Sequence, residues 1–145
     1  MERQRKKTWQ QKVTLVHESF LRSSRDPFFA KTFYENLFFL NPSIKNYFAN
    51  TDFEHQEKAI MHGLEFLIGF LDQQNENARK QILRISKTHS AEGMKIHPHH
   101  YYYWIEALIM TAKKSDSGWH HDLEYYWREV ISFPVSFITS QYFNK

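Results

Sequence analysis

The chain has 145 residues, enough for one hydrophobic core and too few for two of ordinary size. Hydrophobic residues make up 41% and charged residues 24%, and the net charge of +3 is dispersed apart from the opening Glu2-Arg3-Gln4-Arg5-Lys6-Lys7, which excludes a disordered polyelectrolyte and argues against the basic stripe of a nucleic-acid reader. Cysteine is absent, so disulfides, thiolate zinc sites, iron–sulfur ligation and Cys nucleophiles are excluded, and any metal must rest on His, carboxylate or Tyr. No apolar run has the length of a signal peptide core or a membrane span. The expectation is one soluble, cytoplasmic domain over residues 1–145, opened by a basic helical extension of about residues 1–8, with neither nucleic acid nor membrane as partner.

With four Gly, four Pro and no alternating strand-like runs, the sequence reads as all-α. Residues 4–23 carry Trp9, Val13, Val16 and Phe20 at steps of four, three and four, one apolar stripe. Asp26-Pro27 is a start signal, the Asp capping free amides and the Pro fitting the first helical position. The following segment, Phe28 to Leu40, is apolar nearly all round and so expects burial on several sides. Asn41-Pro42 repeats the signal for a short helix ending near Phe48. Thr51-Asp52-Phe53-Glu54 reads as a capping box, with Thr51 as the cap and Glu54 as its partner. The long helix beyond it sets Gln56, Ile60, Leu64, Leu67 and Leu71 along one face, while Gly63 and Gly69 allow close approach of a backbone or a planar ligand.

After Gln73-Gln74-Asn75, a helix over 77–92 places Ile82, Ile85 and His89 on one stripe and stops at Gly93. His97-Pro98 opens another, bearing Tyr101, Trp104, Ile105, Leu108 and Ala112. The last is expected from around Asp116-Ser117-Gly118, with Leu123, Trp127, Val130 and Phe137 inward and Pro134 disturbing its ladder. Aromatic residues reach 17%, as 13 Phe, 8 Tyr and 4 Trp, so a bundle this small has rings enough to enclose something flat as well as itself.

His89 sits on a buried stripe in the last turn of its helix. By itself such a residue is either a satisfied core histidine or, with one ring nitrogen oriented by a hydrogen bond, a metal ligand through the other. The surrounding pattern adds to this. Phe33-Tyr34-Glu35-Asn36-Leu37-Phe38, Asn41-Pro42 through Tyr47-Phe48, Thr51-Asp52-Phe53 with Gln56 and Ile60, Lys87-Thr88-His89 with Gly93, His100-Tyr101 with Trp104, and Tyr126-Trp127 follow one another in an order and spacing that resembles the globin family, specifically its bacterial single-domain and flavohaemoglobin-type members.

The resemblance implies a globin fold of about seven helices around a haem b pocket, with His89 as the proximal iron ligand. It implies that Phe48, Ile60, Ile85 and Tyr101 lie against the cofactor, and that Tyr34, Gln56 and Ile60 form the distal side where the gas ligand binds. These types suit the task. Oxygen bound to ferrous haem gathers negative charge, and a Tyr hydroxyl and a Gln amide are donors to it in a dry pocket, while Ile60 limits access. His55 and His62 flank Gln56 and are the distal alternatives to it, His55 lying one residue off the inferred face and His62 nearly opposite.

Two departures from the relatives stand out. Tyr101 matches a Tyr that works with a Glu on the last helix to polarise the proximal His, but the expected neighbourhood of that Glu reads Ser140-Gln141-Tyr142. The corner Met94-Lys95-Ile96-His97-Pro98-His99 is also longer.

The implied function is reversible binding of oxygen and other diatomic gases (NO, CO). Conversion of nitric oxide to nitrate is an extension that needs a separate reductase, since the sequence has no Gly-rich dinucleotide fingerprint; enzymatic activity stays open. A haem-based sensor acting through a partner protein, and a haem-free helical interaction module, are the alternatives. The histidines at 97, 99 and 100 do not share one helix face and read as surface residues around a helix start, as do His120 and His121.

Overall fold

The computed structural model describes residues 6–73, 80, 84 and 99–140, and among these it shows six helices and no strand. They are α1 (Trp9–Ser23), α2 (Phe29–Leu40), a short 3-10 helix (Pro42–Phe48), α3 (Phe53–Gln73), α4 (His100–Ser115) and α5 (Leu123–Ser140). Of the helix expected over 77–92, residues 80 and 84 are described and both are helical. Ile82, Ile85, His89 and Gly93 lie outside the described residues, as do His97 and Pro98.

Helix α1 starts at Trp9 rather than residue 4, because Thr8 closes a capping box with Gln11: the Gln11 N–H donates to Thr8 Oγ1 at 3.1 Å and the Thr8 N–H to Gln11 Oε1 at 2.8 Å. Lys6 and Lys7 are therefore not part of a helical extension. Val13, Val16 and Phe20 are buried as the stripe requires, whereas Trp9 is 40% exposed and meets Phe133 with ring centroids 5.9 Å apart.

At the start of α2, Asp26 accepts the Phe28 N–H at 2.9 Å and leaves no side-chain cap on the helix itself, which begins one residue later than expected. Asn41 caps the short helix by accepting the Ser43 N–H at 3.1 Å. The capping box expected at Thr51 is absent. Asp52 accepts the Glu54 N–H at 3.1 Å instead, so α3 starts on an aspartate cap. On α3 the stripe Leu64, Leu67 and Leu71 is buried, joined by Ile68. A Cβ placed at Gly63 meets nothing within 4 Å among the described residues, so no neighbouring protein backbone there demands a glycine.

The core lies where α2 crosses α4 and where α1 packs on α5, with α3 against α1, α2 and α5. Phe29, Phe33, Leu108, Trp127 and Ile131 are almost completely buried in it. A polar rivet crosses the α2–α4 contact: Asn36 Nδ2 donates to Thr111 Oγ1 at 3.0 Å, and Thr111 in turn donates to the Ala107 carbonyl at 2.7 Å.

Asp116 does not start the last helix. Its N–H closes α4 onto the Ala112 carbonyl, and its carboxylate, fully buried, is held by Arg22 Nε at 2.5 Å, Arg22 Nη2 at 3.0 Å, Ser19 Oγ at 2.6 Å and the Gly118 N–H at 2.8 Å. Ser19 Oγ also accepts the Trp127 indole N–H at 2.9 Å. A Cβ at Gly118 would lie 2.7 Å from Arg22 Nε, so a side chain there would have to displace the guanidinium that holds Asp116. Residues 116–122 form turns and irregular backbone between the helices, and α5 begins at Leu123 and continues through Pro134.

Candidate functional site

Helices α2, α3, α4 and the short helix enclose a cavity of about 130 Å³. Helix α2 contributes Tyr34 and Leu37, one turn apart; the short helix contributes Ile44, Tyr47 and Phe48; α3 contributes Gln56 and Ile60; and α4 contributes His100, Tyr101 and Trp104. Five residues singled out from sequence, Tyr34, Phe48, Gln56, Ile60 and Tyr101, thus line one space. Ile85 and His89 lie outside the described residues. His55 and His62 are exposed on α3 and do not reach the cavity.

Tyr34 is buried, and Gln56 Nε2 donates to its hydroxyl oxygen at 2.9 Å. Because the amide is the donor, the phenol keeps its own proton for a second acceptor. Donation into the hydroxyl oxygen also polarises the O–H bond and strengthens it as a donor. Burial pushes the Tyr34 phenol up to about 12, the Gln56 hydrogen bond pulling the other way and the nearby Glu57 charge adding to the rise. At neutral pH it is therefore a neutral hydrogen-bond donor. Burial likewise raises the Tyr101 phenol above its ordinary value.

Aromatic rings hold Tyr34 on several sides. Phe33, Phe48 and Phe53 meet it edge-on with centroids at 5.0, 5.5 and 5.7 Å, and Phe38 lies tilted at 6.0 Å. Edge-on contacts of this kind are worth about 0.5–1.5 kcal/mol each beyond the buried area.

Sequence reasoning did not assign Leu37, Ile44, Tyr47, His100 or Trp104 to the site. Two carried a readable signal: Leu37 is one turn from Tyr34, and Trp104 one turn from Tyr101. Tyr47 and His100 carried none, since they meet only in space, with ring centroids 5.3 Å apart. His100 corrects the reading of this histidine run as surface residues, for it is half-buried and lines the cavity, while His99 is exposed. His120 and His121 are exposed as expected.

The lining suits a flat, largely apolar group. Leu37, Ile44, Phe48, Ile60 and Trp104 give apolar walls, and Phe48, Ile60 and Trp104 remain only half-buried although packed against the core. That leaves apolar area for a ring system to cover. Against these walls the Tyr34–Gln56 pair is a localised polar point.

Comparison with known proteins agrees with this architecture. The family model described as Globin matches residues 31–137. A solved structure from Pseudomonas aeruginosa, of a protein described as structurally highly homologous to a human haemoglobin, superposes with a TM-score of 0.83 at 24% identity, covering 90% of this chain and 98% of that one. No curated protein matches the sequence significantly. Among the described residues no helix is long and apolar enough to cross a membrane. With the family model spanning most of the chain and the helices in the matching arrangement, the fold is the all-α globin fold, and the chain belongs to the globin family, whose members typically bind haem.

Proposed function

We propose that the chain binds haem b through His89 and thereby binds oxygen and other diatomic gases reversibly, with Tyr34 and Gln56 as the donors on the ligand side. The observation that carries this reading is the 2.9 Å hydrogen bond from Gln56 to the Tyr34 hydroxyl inside a largely apolar cavity. When bound, haem supplies an iron with an open coordination position for a diatomic ligand.

The chain's own residues do the rest. Gln56 fixes the phenol and leaves its proton for an electron-rich ligand atom entering the cavity. Leu37, Ile44 and Ile60 exclude water from that atom, which strengthens the hydrogen bond made to it. Phe48 and Trp104 offer ring faces for the porphyrin to cover, and Tyr101, kept neutral by burial, lines the same space from α4. Ile85 is assigned to the cofactor wall beside His89 on their shared stripe.

Absorption spectroscopy of the full chain titrated with haem tests the assignment. The expected result is a sharp Soret band at one haem per chain, shifted or lost in His89→Ala. A chain with unchanged helix content and no Soret band would favour a haem-free interaction module, and an unaltered spectrum in His89→Ala would contradict the ligand assignment.

A further inference from the structure

We propose that Phe53 is a positioning residue, which keeps the Tyr34 phenol dry and in line with Gln56 from a place outside the cavity. The proposal deepens the gas-binding reading and rests on it for its functional consequence. Phe53 is the first residue of α3, directly after the Asp52 cap, and it does not line the cavity. Its ring meets Tyr34 edge-on at 5.7 Å and 74°, stacks on Phe48 at 6.1 Å and 30°, and meets Phe38 edge-on at 6.1 Å and 82°.

Tyr34 is 5% exposed, whereas Phe38, Phe48 and Phe53 are each half-buried. The three phenylalanines are thus a layer between the phenol and solvent. Phe48 belongs to the cavity wall and Phe38 to the same helix as Tyr34, so Phe53 is the member that ties this layer to α3. It also stands one helical turn before Gln56, and a helix places residues three apart on neighbouring positions. The first turn of α3 therefore delivers a shield and a hydrogen-bond donor to the same phenol. The strength of a hydrogen bond to Tyr34 depends on that shield, because water admitted beside the hydroxyl competes for its proton.

A fluorotyrosine incorporated at position 34 reports hydration directly through the change in its fluorine NMR shift between light and heavy water. The full chain is measured as purified, and again after haem and carbon monoxide are supplied, in the parent and in Phe53→Leu, Phe53→Val and Phe53→Ala. The expected solvent-isotope shift is near zero in the parent, small in Phe53→Leu, and grows through Phe53→Val toward that of free fluorotyrosine in Phe53→Ala. With Tyr34 itself restored, oxygen dissociation in Phe53→Ala rises by about three- to tenfold and returns toward the parent value in Phe53→Leu. A series in which the shift stays flat as side-chain volume falls overturns the proposal, and the Leu and Val members carry this test should the Ala variant not fold. Hydration that tracks volume upholds Phe53 as the shield even where Tyr34→Phe leaves oxygen dissociation unmoved, a result that counts against the gas-binding reading alone.

Discussion

At the joint of α1, α4 and α5, both carboxylate oxygens of Asp116 are engaged by Arg22, Ser19 and the Gly118 amide, and Ser19 also accepts a hydrogen bond from the Trp127 indole N–H. In the cavity between α2, α3 and α4, Tyr34 accepts one hydrogen bond and retains a donor. Both constellations are polar groups in apolar surroundings. They differ in saturation. The Asp116 carboxylate has two donors on each oxygen and serves to lock three elements together, whereas the cavity pair holds a proton in reserve, which suits a ligand that comes and goes.

The largest effect expected from breaking the contrast lies at the joint. Asp116→Ala leaves the buried Ser19 hydroxyl without its acceptor and Arg22 without its counter-charge, and lowers stability by about 3 kcal/mol in urea unfolding, Arg22 being exposed enough to regain some water. In the surviving folded fraction, gas affinity is unchanged. Gln56→Ala should give the reverse pattern, raising the oxygen dissociation rate by about three- to tenfold with a stability change under about 1 kcal/mol.

The same joint sets an acid limit. Burial alone would push the Asp116 carboxyl up, but the hydrogen bonds from Arg22, Ser19 and Gly118, with the Arg22 charge, outweigh it and hold the group below the ordinary carboxylate range. A depressed folded value means stabilisation that is present above about pH 4 and lost as pH falls through the folded value. Unfolding free energy should therefore decline below about pH 4 in the parent and more shallowly in Asp116→Asn. The smallest effect belongs to the surface pair Lys12–Glu129, 2.8 Å apart and with Glu129 half exposed, where Glu129→Gln should cost under about 1 kcal/mol in thermal unfolding and less still in high salt.

The two regions also differ in how far the amino-acid order discloses them. Periodicity locates the inward faces, as at Val13, Val16 and Phe20 on α1 or Leu64, Leu67 and Leu71 on α3, because burial follows helical spacing. Helix starts are less legible. Thr51 and Asp52 are both competent caps and adjacent, so only the backbone path selects Asp52, and the good helix formers before Thr8 hide the box that stops α1 there. Asp116 reads as a helix start because its partner Arg22 lies 94 residues away and leaves no local trace. Tyr34 and Gln56, 22 residues apart, were paired through resemblance to the globins and not through any spacing rule.

The oxygen dissociation rate of the haem-loaded chain, compared between the parent and Tyr34→Phe by stopped-flow mixing, bears most directly on the central claim. Loss of a buried hydrogen bond to a charged acceptor, about 1.5–3 kcal/mol, predicts a rate raised by about ten- to a hundredfold with the Soret band intact. An unchanged rate in a folded, haem-replete variant would contradict the claim that the phenol held by Gln56 is what grips the ligand.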